Sequence, residues 1–127
     1  MKRYTSSIQM ALNNFFGDAP PSFDLILLGL GDNGHTASLF PGTDVLNEQV
    51  RWVKEVYVEE VKMYRITMTV PLINKATNIL FLVSGTGKAG ILKEIFSAAT
   101  PQYPAQLIVP EAGSLYWFVD KAAAGGV

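Results

Sequence analysis

The sequence predicts an α/β domain: a mainly parallel sheet flanked by helices, in a Rossmann-like arrangement of three layers. Three observations carry that prediction. Two short runs, residues 25–30 and 78–83, are apolar almost throughout, as strands are when helices cover both faces of a parallel sheet. Each run ends in a glycine-rich loop, 29–34 and 84–88. Segments of helical spacing alternate with them, and that alternation belongs to parallel α/β folds.

The elements follow in order. Tyr4, Ile8, Ala11, Leu12 and Phe15 recur at helical spacing, which predicts an amphipathic helix ending near Gly17. Residues 19–22 (APPS) connect it to the first strand, 25–30. A short segment, 36–40, closes at Pro41-Gly42. Residues 52–58 and 64–70 are richer in alternating and β-branched residues and are predicted strands. Pro71 is placed to begin a short helix over 71–75. The second apolar strand, 78–83, leads through 84–88 into a helix. There Ile91, Leu92, Ile95 and Phe96 form the predicted buried face, with Lys93 and Glu94 in water. Residues 104–109 are ambiguous, 115–119 are a last strand, and 121–124 a fraying end. Trp52, Tyr57 and Trp117 read as core or edge aromatics, and Glu59-Glu60 as a solvated turn.

Composition narrows the function. The 127 residues make one domain, 1–127, long enough for a core. Although 49% of residues are hydrophobic, no run approaches the roughly eighteen residues of a membrane span. The segment MKRYTSSIQ has no signal-peptide apolar core. Absence of cysteine excludes disulfides and thiolate metal sites and fits a cytoplasmic protein. A net charge of −1 gives no field to draw nucleic acid or an anionic membrane. One histidine without cysteine argues against zinc, so no metal is expected.

In parallel sheets ligands bind beyond the carboxyl ends of the strands, where both glycine loops fall. The first spells G-x-G-x-x-G at Gly29, Gly31 and Gly34. A dinucleotide site also needs a long following helix and an acid ending the next strand. Pro41-Gly42 forbids that helix, and no such acid follows. The sequence Gly85-Thr86-Gly87-Lys88 lacks the glycine spacing of a P-loop and has Ala89 where Ser or Thr is required.

The stretch FDLILLGLGDNGHTASLFPG, residues 23–42, resembles the signature of the 6-phosphogluconolactonase family, within the larger glucosamine-6-phosphate isomerase superfamily. Collinear matches follow at 65–69 (RITMT), 71–74 (PLIN), 81–85 (FLVSG) with Lys88-Ala89, 104–107 (PAQL) and 115–123 (LYWFVDKAA). The resemblance implies hydrolysis of 6-phosphoglucono-δ-lactone to 6-phosphogluconate in the pentose phosphate pathway, with no metal or organic cofactor. It implies His35 as catalytic base and Lys88 and Arg65 as substrate or phosphate contacts. The partner it implies is a phosphorylated sugar lactone.

The chemistry suits these residues. Imidazole, with an ordinary pKa of about 6.5, is free to take a proton from water near neutrality. Backbone N–H groups of the Gly29, Gly31, Asp32, Asn33 and Gly34 loop can face a developing oxyanion, with Asp32 read as a turn former or cap. Lys88 at a helix entry offers a cation beside N–H groups.

Two departures from the family pattern stand out. Asn33 occupies a position where relatives often carry Asp; it can orient the imidazole but adds no charge. The isomerase–deaminase branch needs Asp and Glu where this chain has Asn33 and Phe40, so its proton relay is missing. The chain also resembles roughly the C-terminal half of a full lactonase, without that family's first glycine-rich phosphate loop and Asp-Glu-Arg motif. This implies a truncated member, either active or a catalytically incomplete sugar-phosphate-binding fragment. Its bare apolar flank predicts self-association.

Overall fold

In the computed structural model, which describes residues 2–127, the two apolar runs lie side by side. Strand β1 (Leu25–Leu28) pairs in parallel with β4 (Asn78–Val83), and β4 pairs in parallel with β5 (Ser114–Val119). The order is β1-β4-β5. Strands β2 (Val53–Val58) and β3 (Met63–Met68) form a separate antiparallel pair, closed by a 3-10 turn over Glu59–Val61. Three helices complete the frame: α1 (Lys2–Phe16), α2 (Val70–Asn74) and α3 (Ala89–Ser97). The ambiguous 104–109 stretch contains a 3-10 turn, Pro104–Leu107.

Side chains alternate across the parallel sheet as the pleat requires. Ile26 and Ile79 form one buried row, and Leu28 and Phe81 the next, with partly buried Trp117 beside Phe81. Phe81 and Trp117 stack at 4.0 Å with 6° between rings. Helix α3 closes this face with Ile91, Leu92 and Ile95, which join the same core cluster. Phe96, expected in that face, is instead half-exposed and meets only the edge of Trp117, at 5.0 Å. It lies one position past Ile95, which carries it round to the helix flank.

The opposite face departs from the sequence reading. Leu25 and Leu27 are 51% and 56% exposed, so coverage on both faces holds on one side only. This chain supplies two of the three layers. The predicted apolar face of α1 is likewise uncovered: Tyr4, Ile8 and Phe15 are exposed and Thr5 is its buried residue. The helix sits on β2 through polar groups. The Thr5 hydroxyl donates to Glu55 at 3.0 Å, and the Gln9 side-chain oxygen accepts from the Trp52 N–H at 3.3 Å.

The alternation in β4 makes a direct stability test. Replacing buried Phe81 by Ala should cost about 3–5 kcal/mol in urea unfolding. Its neighbour Leu82, half-exposed on the open face, should cost well under about 1.5 kcal/mol on the same change. Equal losses at the two positions would contradict the assigned faces.

Candidate active site

The loop after β1 is built from short-range hydrogen bonds. The Gly34 N–H donates to the Gly31 carbonyl at 2.9 Å, closing a turn with Asp32 and Asn33 at its tip. The Gly31 N–H donates to the His35 carbonyl at 2.8 Å. Buried Thr36 donates its hydroxyl to the Gly29 carbonyl at 2.7 Å. Two distant segments hold the loop from outside: the Thr67 hydroxyl of β3 accepts from the Ser38 N–H at 3.1 Å, and the Ala105 N–H donates to the Gly34 carbonyl at 2.9 Å.

Two of the three glycines have steric work. A Cβ on Gly31 would lie 2.0 Å from Nδ1 of His35, so the imidazole rests directly on this backbone. Gly34 combines a φ of +79° with the Tyr103 ring 2.6–2.8 Å from any added Cβ. Gly29 faces open space.

His35 is oriented by Asn33. The Asn33 side-chain oxygen accepts the His35 backbone N–H at 3.1 Å and lies 2.7 Å from Nδ1. The backbone N–H can only donate, so the atom facing it is the amide oxygen. The ring nitrogen facing that oxygen therefore carries the proton, and Nε2 is left as the acceptor. Phe40 stacks on the imidazole at 4.1 Å and 16°. Burial is the main cause holding the His35 pKa below its ordinary value, followed by the positive charges of Lys88 and Arg65; Glu60 and Asp32 oppose the shift.

The structure brings Lys88 to the same place. Its ammonium donates to Asp32 at 2.9 Å, joining the two glycine loops across the sheet end. The bond to Lys88 holds the Asp32 carboxyl below the usual range. Asp32 is thus both a turn residue, as expected, and the lysine's ion-pair partner, which sequence spacing does not reveal. Arg65 sits on β3 opposite Val56 and acts on His35 through its field.

Three contributors escape a reading of the sequence. Asp120, just past β5, accepts the Gly85 N–H with both oxygens, at 3.1 and 3.2 Å, and the Ala123 N–H at 2.9 Å. Parallel pairing of Val83 with Val119 places it there, so an acid one residue beyond a strand end was its signal. Tyr103 braces Gly34 and donates its hydroxyl to Glu94 of α3. Glu60, read as a solvated turn residue, lies close enough to raise the His35 pKa. Two cavities occur elsewhere. One of about 570 Å³ lies between α1 and β2, lined by Gln9, Arg51 and Glu55 among others; another of about 230 Å³ lies beside Pro41 and Tyr103. Neither lining includes His35. Among the described residues no three acidic or histidine side chains form a metal-binding group, and no helix is long and apolar enough to cross a membrane.

The family described as glucosamine-6-phosphate isomerases/6-phosphogluconolactonase matches residues 1–117. The chain belongs to this family. It is 41% identical to 6-phosphogluconolactonase of Rattus norvegicus over 111 residues, which is 87% of this chain and 43% of the rat protein. It is 49% identical to the Synechocystis sp. 6-phosphogluconolactonase over 105 residues, covering 81% and 42%. A solved 6-phosphogluconolactonase from Trypanosoma brucei superimposes with a TM-score of 0.84 at 27% identity, over 99% of this chain and 53% of that one. The chain therefore spans about half the length of the relatives it matches.

Because His35 is the single histidine, its imidazole NMR signals are unambiguous. The neutral ring should carry its proton on Nδ1 and titrate below about 6.5. Gly31→Ala should displace the ring and erase that preference, whereas Gly29→Ala should leave both signals in place. A ring protonated on Nε2 in the unsubstituted chain would contradict the Asn33 contact.

Proposed function

We infer that the chain carries the water-activating part of a 6-phosphogluconolactonase site. The observation that bears most weight is the Asn33 contact: its side-chain oxygen accepts a hydrogen bond from Nδ1–H, so the proton stays on Nδ1 and Nε2 is free to accept one. In this reading water attacks the lactone carbonyl carbon while Nε2 takes its proton. The tetrahedral oxyanion collapses, the bond from that carbon to the ring oxygen breaks, and the imidazolium returns the proton to the leaving oxygen. The product is 6-phosphogluconate. The Gly31 and Gly34 N–H groups are spent within the loop, so the oxyanion role goes to the Asp32 and Asn33 N–H groups at its tip. Lys88 leaves Asp32 for the substrate phosphate, and Arg65 adds positive field. No organic cofactor or metal enters these steps, and the reading is that of a cytoplasmic enzyme. Aldose–ketose isomerisation is disfavoured because buried, apolar Phe40 lies against the histidine.

The decisive assay follows freshly prepared lactone, corrected for spontaneous opening. Hydrolysis should exceed background, and His35→Ala should lose at least about 100-fold; turnover unchanged by that substitution would end the base assignment. A lowered His35 pKa means the base form already dominates at neutrality. So kcat/KM should rise with pH through a midpoint below about 6.5 and then level off.

A second reading, binding of the sugar phosphate without turnover, is supported by one observation: the chain covers only 43% of the Rattus norvegicus relative. Calorimetry with 6-phosphogluconate separates the two, since binding with no hydrolysis supports this alternative. Under either reading, Lys88→Met should weaken that binding by about 10- to 100-fold, the scale of a charge-assisted hydrogen bond. Asp32→Asn should leave binding intact or tighten it, and a marked loss there would argue against the lysine exchange.

A further inference from the structure

We propose that the open face of the β1-β4-β5 sheet, with the outer edge of β1, docks a second α/β polypeptide. That polypeptide is equivalent to the part of the family fold that this chain does not span. The face is apolar and in register: Leu27, Leu80 and Tyr116 form one row across the strands, Leu82 and Phe118 the next, with Leu25 beside them. Leu25, Leu27, Leu82, Tyr116 and Phe118 are each 44–57% exposed. A contiguous apolar patch of this kind marks an interaction surface. The edge is equally undefended. Strand β1 is LILL, the outermost strand in the sheet order, and carries none of the charges or prolines that usually guard an edge.

What fits such a surface follows from strand direction and length. All three strands are parallel, and parallel sheets are covered by helices on both faces. A partner must therefore bring helices for the face, and a strand to extend β1 carries them as its crossovers. The overlay supplies the length: 99% of this chain matches only 53% of the Trypanosoma brucei protein. The rest of that fold, nearly half of it, is large enough to provide the missing layer.

The test co-expresses the chain with the remainder of the Synechocystis relative, meaning its sequence outside the 105 matched residues. The chain has no cysteine, so Leu82→Cys is a unique reporter on the open face. Val50→Cys reports on the groove between α1 and β2, which Val50 lines. Both sites are exposed, so neither substitution disturbs the core. A 1:1 complex should form by native mass, thiol labelling at position 82 should slow at least tenfold, and labelling at position 50 should change less than twofold. Three outcomes would overturn the proposal. One is absence of a complex, including a remainder that stays insoluble beside the chain. Another is protection at position 50 but not at 82. The third is protection at 82 in the chain alone that rises with its concentration and persists beside the remainder, which would make a second copy the occupant. None of these readouts uses lactone hydrolysis, so the catalytic reading can fail or stand separately.

Discussion

The Thr36 hydroxyl bonded to the Gly29 carbonyl holds the site together. Both lie where β1 ends, and Thr36 is almost fully buried. Without that bond the buried Thr36 hydroxyl would be left unsatisfied, at a cost of about 1–3 kcal/mol. With it, the chain turns back sharply enough for the Gly31 N–H to meet the His35 carbonyl. That return stroke lays the imidazole on Gly31, where a side chain would collide with it. The position of His35 is thus a consequence of how one strand ends, and the Asn33 and Phe40 contacts refine an orientation already imposed.

Electrostatics at the loop run in a consistent direction. Local burial disfavours an imidazolium, and the charges of Lys88 and Arg65 disfavour it further. Cations that would serve an anionic ligand therefore also favour the neutral form of the His35 imidazole. Asp32 moderates this arrangement: it holds Lys88 across the gap between the loops and opposes its field at His35. Asp120 steadies the other end of the bridge by accepting the Gly85 N–H, which fixes the turn that leads to Lys88.

Local signals in the sequence located the strands, loops and histidine. Strand β4 falls on residues 78–83 because a continuous apolar run bounded by polar residues admits few other registers. The turn role of Asp32 and the orienting capacity of Asn33 follow from side-chain chemistry over two residues. Contacts set by the tertiary path were not legible. The Lys88–Asp32 pair joins residues 56 positions apart, and Tyr103 reaches Gly34 only because 104–107 folds back against the loop. Phe96 departs from its expected burial for a different reason: helical spacing gives an angle, and its edge contact with Trp117 leaves the ring 51% exposed at the helix flank. In α1 the spacing identified a real apolar stripe, but the fold seats the helix through Thr5 and Gln9 instead.

That last mismatch and the open sheet face have one physical origin. A strand buried on one side is normally written as an alternation of apolar and polar residues; one buried on both sides is apolar throughout. Strands β1 and β4 are of the second kind, yet here they are used as the first: Ile26, Leu28, Ile79 and Phe81 are buried while Leu25, Leu27 and Leu82 are exposed. Exposing those side chains gives up hydrophobic stabilisation of about 25 cal/mol per Å² of apolar surface left in water. Polar residues at the same positions would avoid that loss without disturbing the pleat. The residues present therefore match a layer on the far side of the sheet. Strand β1 is common to that bare face and to the histidine loop, so whatever covers the face also bears on the strand that positions His35.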